Sequence, residues 1–206
     1  MTSRDGQPQV RRGRYKEMIA FDIETLDKEP FPNAVTAAAV YDGKGIARYF
    51  VFKTSVSPDA SMEDDEKQRA EFLSIMDRAP SLCSFNGIQF DIRFLRVAWS
   101  LPDAQIKAWV LKTFDVFEIS RLSMGRYFSL SKILEKNQLE SKSGSGADAI
   151  KLARDCKWEE LGSYCLQDTK VTYMMSTLPV IMLPLHTTRR QIIVLDRTTW
   201  TLFNLY

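Results

Sequence analysis

The stretch Phe21-Asp22-Ile23-Glu24-Thr25 places two acids at the end of an apolar run that begins at Met18. The side chains of a β-strand alternate between its two faces, so residues two apart share a face. We therefore predict a strand in which Asp22 and Glu24 project together, while Phe21 and Ile23 face the opposite side. The interpretation of the rest of the chain depends on this stretch.

Two neighbouring carboxylates in an apolar strand repel each other, and removing them from water is costly. A positive partner is expected to offset that cost, and a divalent metal ion is the usual one. Such an ion would need further oxygen ligands from elsewhere in the chain.

The composition is that of an ordinary globular protein, with 206 residues of which 45% are hydrophobic and 26% are charged. This length fits one domain with a substantial core. The net charge of +2 is too small to indicate nucleic-acid binding, so any such function must depend on local patches. The single histidine, His186, argues against a histidine-based triad or a histidine-rich zinc site.

Membrane insertion and secretion are not indicated by the sequence. It contains no run of 18 or more apolar residues, so we expect no transmembrane helix and no membrane association. The N-terminus has no apolar core, which argues against a secretory signal peptide. Cys83, Cys156 and Cys165 show no CxxC spacing, and this pattern predicts free thiols in a reducing, intracellular compartment.

Hydrophobic periodicity predicts an α/β fold, a mixed sheet of about five strands with helices on both faces. The first three strands are expected to be antiparallel, with a hairpin turn at residues 42–45. The predicted strands are 18–23, 34–41, 46–52, 81–85 and 110–114, and the predicted helices are 61–78, 90–99, 129–139, 147–154 and 158–178.

The predicted fold covers one domain over residues 17–206, preceded by a basic, mobile tail over residues 1–16. That tail is expected either to be solvated or to contact phosphates. The apolar segment 191–206 is expected to pack as a strand or to dock a protein partner.

Two further acids occupy positions that a plain apolar core would not favour. Asp91 lies between Phe90 and Ile92 at a predicted helix start, where it could instead be a first-turn acid or cap. Asp168 lies four residues after Tyr164 on a predicted helix, so the two side chains share a face. The alternative for Asp168 is an edge position at which it reaches water.

Four carboxylates and a tyrosine suit phosphodiester hydrolysis, which needs an activated water and stabilisation of charge on the phosphate. Two Mg²⁺ or Mn²⁺ ions about 4 Å apart supply both effects. Hard cations prefer oxygen ligands, which agrees with aspartate and glutamate side chains and no histidine. A tyrosine hydroxyl can orient the attacking water, but it is a poor base by itself, so metal ions must carry most of the activation.

Three motifs carry a family resemblance: Phe21-Asp-Ile-Glu-Thr25, Phe85-Asn-Gly-x-x-Phe-Asp91 and Tyr164-x-x-x-Asp168. In this order they resemble the three exonuclease motifs of the DEDD, or DnaQ-like, 3′–5′ exonucleases, over roughly residues 18–178. A tyrosine four residues before the last aspartate is similar to the DEDDy branch. The second and third motifs resemble the proofreading domains of B-family DNA polymerases and their stand-alone relatives.

The resemblance implies a ribonuclease H-like fold and hydrolysis at the free 3′ end of single-stranded or frayed nucleic acid, with two divalent metal ions. It makes Asp22, Glu24, Asp91 and Asp168 the expected metal ligands and Tyr164 the residue that positions the water. The polymerase-like motifs slightly favour DNA. The alternatives are a 3′-end trimming exoribonuclease of the same fold, a related nuclease of another polarity such as an endonuclease, and a non-catalytic nucleic-acid-binding module.

Substrate contacts implied by the resemblance are Thr25 and Leu26 at the terminal nucleotide, and Asn86 as an amide that faces the substrate or braces the motif. Asn86 is equally well explained as a turn residue before Gly87. Other candidates have ordinary structural explanations. Phe90 is expected in the core, and Asp115 is expected to cap a helix rather than to act near the metals. The cations are expected on a solvated face. The cationic candidates for phosphate contacts are Arg93, Arg121, Arg126, Lys132 and Lys142.

Overall fold

A computed structural model describes residues 17–57, 59–140, 144–178 and 181–184. The predicted tail over residues 1–16, the cation Lys142, the histidine His186 and the C-terminal segment 191–206 lie outside the described residues. Within the described ranges, no helix is both long and apolar enough to cross a bilayer.

Five strands form one mixed sheet. They are β1 (Met18–Thr25), β2 (Val35–Tyr41), β3 (Ala47–Val51), β4 (Ser81–Ser84) and β5 (Thr113–Asp115), in the spatial order β3-β2-β1-β4-β5. β2 pairs antiparallel with β1 and with β3, whereas β4 runs parallel to both β1 and β5. The predicted α/β fold with three antiparallel strands first is confirmed, and β1 lies at the centre of the sheet.

Seven α-helices flank this sheet within the described ranges. They are α1 (Met62–Arg78), α2 (Asp91–Ala98), α3 (Asp103–Lys112), α4 (Val116–Met124), α5 (Leu130–Lys136), α6 (Gly146–Arg154) and α7 (Trp158–Thr177), with a short 3-10 helix at Lys53–Ser55. Local signals explain their starts: the Ser61 hydroxyl accepts the Asp64 N–H at the start of α1, and Ser145 and Asp148 form a capping box at α6.

The prediction of a strand over residues 110–114 is wrong at its start. Residue Val110 lies in the last turn of α3, and the strand begins only at Thr113. The Thr113 hydroxyl donates to the carbonyl of the fully buried Trp109 at 2.7 Å, so this apolar run packs on the core as a helix. Helices α3 and α4 were not predicted, because a short apolar run does not distinguish a buried helix from a strand.

The two faces of β1 have different neighbours. Ile19, Phe21 and Ile23 belong to an apolar core formed with α1, α2 and α3. On the opposite face, small alanines of β2 pack with residues of α7, and a side chain at Gly162 of α7 would collide with the ring of Tyr49. Helix α7 therefore lies directly on the face of the sheet toward which Asp22 and Glu24 project.

Candidate active site

The carboxylates of Asp22 and Glu24 lie together at the end of β1, on the face that α7 covers. One oxygen of each and the Cys165 sulfur all lie within 4.8 Å of one another. Glu24 is only 8% exposed, whereas Asp22 is half-buried. Strand alternation thus brings these two acids to one place, as the sequence pattern predicts.

Asp91 is the first residue of α2, and its side chain reaches back to β1. Its Oδ1 accepts a hydrogen bond of 2.9 Å from the backbone N–H of Ile23. The pairing of β1 with β4 covers only Met18 to Ala20, so the end of β1 remains open to Asp91 on that side. Because Ile23 lies between the two acids of β1, this bond brings a third carboxylate to them.

Asp168 lies on the buried side of α7, and 2% of its surface is exposed. An edge position that reaches water is therefore wrong for this residue. Tyr164, one helical turn earlier, packs among apolar residues of α6, α7 and the sheet. The thiol of Cys165 donates to the backbone carbonyl of Asp22 at 3.6 Å, and its sulfur lies 4.0 Å from Asp22 Oδ2.

All four carboxylates act electrostatically on the thiol of Cys165. Burial raises the pKa of this thiol well above its usual value, and the negative charges of Asp22, Glu24, Asp168 and Asp91 raise it further. We name these four carboxylates the acid cluster. The cysteine pattern predicts only a free thiol at Cys165, although its spacing of one helical turn before Asp168 places both side chains on one face of α7.

An open cavity of about 370 Å³ lies beside the acid cluster, and Asp22, Asp168 and Phe85 contribute to its wall. A second cavity of about 290 Å³ is lined by Tyr164 and by the cations Lys151 and Lys157. Both cavities include Gly144, which lies just before α6, in their walls.

Asp115 is a further buried carboxylate, but it is surrounded by backbone N–H groups. Its oxygens accept hydrogen bonds from Asn86 and Ile88, each at 2.9 Å, and from Phe117 and Glu118 at 3.0 and 3.3 Å. Burial raises the pKa of the Asp115 carboxyl, and these four hydrogen bonds oppose that rise. Asp115 therefore caps α4, as its position in the sequence allowed, and it also holds the loop that leads into α2.

The backbone at Asn86 adopts a tight turn. Its φ of 66° lies in the left-handed region, which asparagine tolerates better than most residues. A Cβ at the following Gly87 would lie 2.5 Å from the Ser84 side chain and 3.1 Å from the Phe21 ring, so this position requires glycine. This geometry favours the turn explanation for Asn86, and its contact with a substrate stays a prediction.

The other predicted substrate residues have structural partners. Thr25 is buried, and its hydroxyl donates to the carbonyl of Asp27 at 2.7 Å. Leu26 packs against the apolar cluster that includes Tyr164. Phe90 packs on the main core, with its ring centroid 5.6 Å from that of Phe94, which favours its core interpretation.

The cationic candidates within the described residues lie on the surface. Arg93 forms an exposed ion pair with Glu29 at 3.9 Å, and Arg121 pairs with Glu118 on α4. Arg126 and Lys132 are exposed. Phosphate contacts from these residues stay predictions.

Comparison with known proteins places this arrangement in a family. A family model described as RNase H superfamily matches residues 19–177, which is most of the chain. The chain belongs to the RNase H superfamily. No match was found among curated proteins.

Solved structures that are similar to this RNase H superfamily member include a DNA polymerase and two others. The chain is similar to the family B DNA polymerase from the hyperthermophilic archaeon Pyrobaculum calidifontis. The two share 17% identity with a TM-score of 0.54, and the match covers 76% of this chain and 23% of that chain. The chain thus spans about a quarter of the polymerase. Brucella melitensis NrnC with bound Mg²⁺ matches with 16% identity and a TM-score of 0.39, covering 82% of this chain and 83% of that one. A zinc-bound E. coli ExoI-ssDNA complex matches with 14% identity and a TM-score of 0.41, and the match covers 80% of this chain and 46% of that chain.

The predicted ribonuclease H-like fold is confirmed by the superfamily match. The match thus places the chain in the superfamily to which the three motifs pointed, and the polymerase structure shares its fold. The superfamily match does not assign chemical roles to single residues of this chain.

Proposed function

We propose that this protein is a metal-dependent 3′–5′ exonuclease that hydrolyses phosphodiester bonds at the 3′ end of single-stranded or frayed nucleic acid, with DNA slightly favoured. The main support is the acid cluster: Asp22 and Glu24 lie together beside the Cys165 sulfur, and Asp91 and Asp168 from two other segments act on the same thiol electrostatically. They lie beside an open cavity. Like charges gathered in a largely buried site are unfavourable unless a cation joins them.

The donor set fits hard divalent cations. All four side chains offer carboxylate oxygens, and the chain's single histidine is His186, so the expected ions are Mg²⁺ or Mn²⁺ rather than a softer metal. Asp22, Glu24, Asp91 and Asp168 would hold them, and four carboxylates suit two ions. Bound there, the ions supply activation of a water and stabilisation of charge on the scissile phosphate.

The residues of the chain itself orient the reaction. The N–H of Ile23 fixes the carboxylate of Asp91 against the end of β1, and α7 packs on the sheet beside the site. The Tyr164 hydroxyl positions the attacking water in this proposal, because Tyr164 lies one helical turn before Asp168 on the same helix. The cavity beside Asp22 and Asp168 admits the terminal nucleotide.

The deciding experiment uses single strands that are labelled internally and blocked at either the 3′ or the 5′ end. With Mg²⁺ or Mn²⁺ we expect a 3′ block to stop degradation, a 5′ block to leave it unchanged, and EDTA to abolish it. Degradation of 3′-blocked strands, or cleavage of closed circles, would instead indicate an endonuclease or another polarity. Binding without any hydrolysis would indicate a non-catalytic module.

Matched DNA and RNA strands with free 3′ ends address the remaining choice of substrate. A higher initial rate on DNA supports the proposal as stated, and a higher rate on RNA supports the alternative of 3′-end RNA trimming. An Asp168→Asn preparation, purified in parallel, controls for contaminating nucleases.

A further inference from the structure

A row of three aromatic rings leads from the cavity beside the acid cluster to the protein surface. Phe85 lines that cavity together with Asp22 and Asp168. Its ring meets the ring of Phe117 edge-on, with centroids 5.5 Å apart. Phe117 stacks in turn on Tyr127, with centroids 5.1 Å apart and ring planes 22° from parallel. Exposure increases along the row, from half-buried Phe85 and Phe117 to Tyr127 at 69%.

Tyr127 presents one open ring face to solvent. Its other face is covered by Phe117, yet most of the side chain remains exposed. The residue lies between α4 and α5, just after Gly125, which ends α4 with a φ of 62°. Because the ring is already held from behind, a flat partner on the open face costs little additional ordering of the protein.

Of the two arginines near the row, one is paired with an acid and the other is exposed. Arg121 on α4 is close enough to Tyr127 to interact with it electrostatically, and its charge is balanced by Glu118. Arg126, which precedes Tyr127, is exposed and adds a positive charge to the segment. Nucleobases are flat and stack on aromatic side chains whatever their sequence, while cations contact the phosphates that join them.

We propose that the row formed by Phe85, Phe117 and Tyr127 is the path by which a single strand reaches the acid cluster, with a base upstream of the 3′-terminal nucleotide stacked on Tyr127. The inference rests on the proposed function and specifies its substrate. A base that is paired and stacked in a duplex cannot offer its face to Tyr127, so the row selects unpaired strands.

Binding is measured separately from hydrolysis to test this path. The probe is a 5′-labelled thymidine decamer whose 3′-terminal linkages are phosphorothioates, and its affinity is measured by fluorescence anisotropy. The proteins are wild type, Tyr127→Ala, Tyr127→Phe and Leu111→Ala. Leu111 is also an exposed apolar residue, at 51%, but it lies on α3, which packs on the opposite face of the sheet.

Loss of one base–aromatic stack predicts that Tyr127→Ala weakens binding by about 10-fold, within a range of roughly 5- to 150-fold. Tyr127→Phe and Leu111→Ala should bind like the wild type. A second set of decamers carries one abasic site at successive positions from the 3′ end. One of these sites should weaken binding to wild type by a similar factor and have no further effect on Tyr127→Ala, as expected for a coupled pair.

Wild-type affinity in Tyr127→Ala, or abasic sites that act equally on both proteins, would overturn the path and point to a different partner for the row. That result is distinct from failure of the proposed function. If only the path is wrong, the wild type still degrades strands with free 3′ ends, and Tyr127→Ala binds as the wild type does. If the proposed function is wrong, neither the wild type nor any Tyr127 variant degrades a strand. Thermal melting of each variant confirms that it is folded.

Discussion

Asp115 and the acid cluster are two regions in which carboxylates are buried, and they offset the cost of burial in opposite ways. Asp115 is fully buried, and four backbone N–H groups donate to its oxygens. In the acid cluster, Asp22 and Glu24 lie together beside the thiol of Cys165, Asp91 is hydrogen-bonded to Ile23 between them, and Asp168 lines the same cavity as Asp22. One region surrounds a negative charge with donors, and the other gathers negative charges together.

The difference shows how a structural acid is distinguished from a functional one. A carboxylate surrounded by N–H donors holds the donor segments in place without a cation, because its oxygens already have hydrogen-bond partners in the protein. Carboxylates that crowd each other favour a cation, and the stability of that region then depends on the cation. Substitutions in the two regions should therefore affect different properties of the protein.

The largest effect is expected from Asp168→Asn in the acid cluster. Hydrolysis of a single strand with a free 3′ end should fall by on the order of 100- to 1000-fold, because one of the four carboxylates that would hold the charge-stabilising metal ions is lost. The melting temperature of Asp168→Asn in EDTA should not be lower than that of the wild type. Asparagine has nearly the same shape as aspartate, and the substitution removes one of four like charges. Initial rates and circular-dichroism melting measure the two effects.

The matched control for Asp168→Asn is Asp59→Asn, which changes an exposed carboxylate outside the cluster. Wild-type turnover by Asp168→Asn would break the distinction between the two regions.

Asp115→Ala should reverse this pattern and mainly reduce stability. It leaves the buried N–H groups of Asn86 and Ile88 without their acceptor, which should lower the free energy of unfolding by about 3 kcal/mol. Urea denaturation measures the loss. Asp115→Asn keeps one acceptor oxygen, so its free energy of unfolding should lie between those of the wild type and Asp115→Ala. Equal stability of all three proteins would mean that the four hydrogen bonds make no net contribution to stability.

Mg²⁺ or Mn²⁺ should stabilise the wild type through the acid cluster. At a metal concentration 100 times Kd, the expected gain is about 2.7 kcal/mol in the free energy of unfolding. Thermal melting against metal concentration, at constant ionic strength, measures it. Asp168→Asn should gain clearly less, and an equal gain in both proteins would indicate binding outside the cluster.

Tyr164→Phe should have a smaller effect on turnover than the loss of a carboxylate. It removes the hydroxyl that positions the water but leaves the four acids in place, so we expect a decrease in kcat of about 10- to 100-fold with little change in KM. Steady-state kinetics give both values. Tyr49→Phe, which keeps the ring packed against Gly162, is the control, and an unchanged kcat in Tyr164→Phe would make the tyrosine purely structural.

Asp42 repeats the donor arrangement of Asp115 in the β2–β3 hairpin, near the surface, and should give the smallest effect. It accepts the N–H groups of Lys44, Gly45 and Ile46 at 2.8, 2.9 and 2.9 Å. Burial alone would raise the pKa of Asp42, but these hydrogen bonds together hold it below its usual value of 3.8. Asp42→Ala should therefore cost about 1 kcal/mol at neutral pH.

The pH dependence of that cost follows from the lowered pKa. A carboxyl whose pKa is lower in the folded state contributes stability above its unfolded pKa and loses it as the pH falls through the folded one. The stability difference between wild type and Asp42→Ala should thus disappear in strongly acidic solution. The test is urea denaturation over a pH series with Asp59→Ala as control, and a constant difference at every pH would contradict it.

Sequence patterns with a short range were sufficient for much of the fold. The alternation at Asp22 and Glu24, the turn around Asp42 and the serine at the start of α1 each depend on neighbours a few residues away. The β1 core face and the hairpin follow from these signals. The boundary between α3 and β5 does not follow from local signals, because the burial of Trp109 against distant residues makes that apolar run helical.

The roles of the buried carboxylates were the least predictable feature of the protein from its sequence. Asp91 and Asp115 each stand at the start of a helix, and either one reads as an ordinary cap. The hydrogen bond from Ile23 to Asp91 joins residues 68 positions apart, and no local pattern contains it. Cys165 likewise gained significance only when α7 was placed against β1.

The order of residues alone was enough to specify strands, turns, helix starts and a set of acids that an apolar core would not favour, because those depend on neighbouring side chains and backbone geometry. Folding in three dimensions decided which acids meet one another and which meet N–H donors. The reason is that electrostatic interaction depends on distance in space, and only packing of α2, α4 and α7 around the sheet fixes those distances.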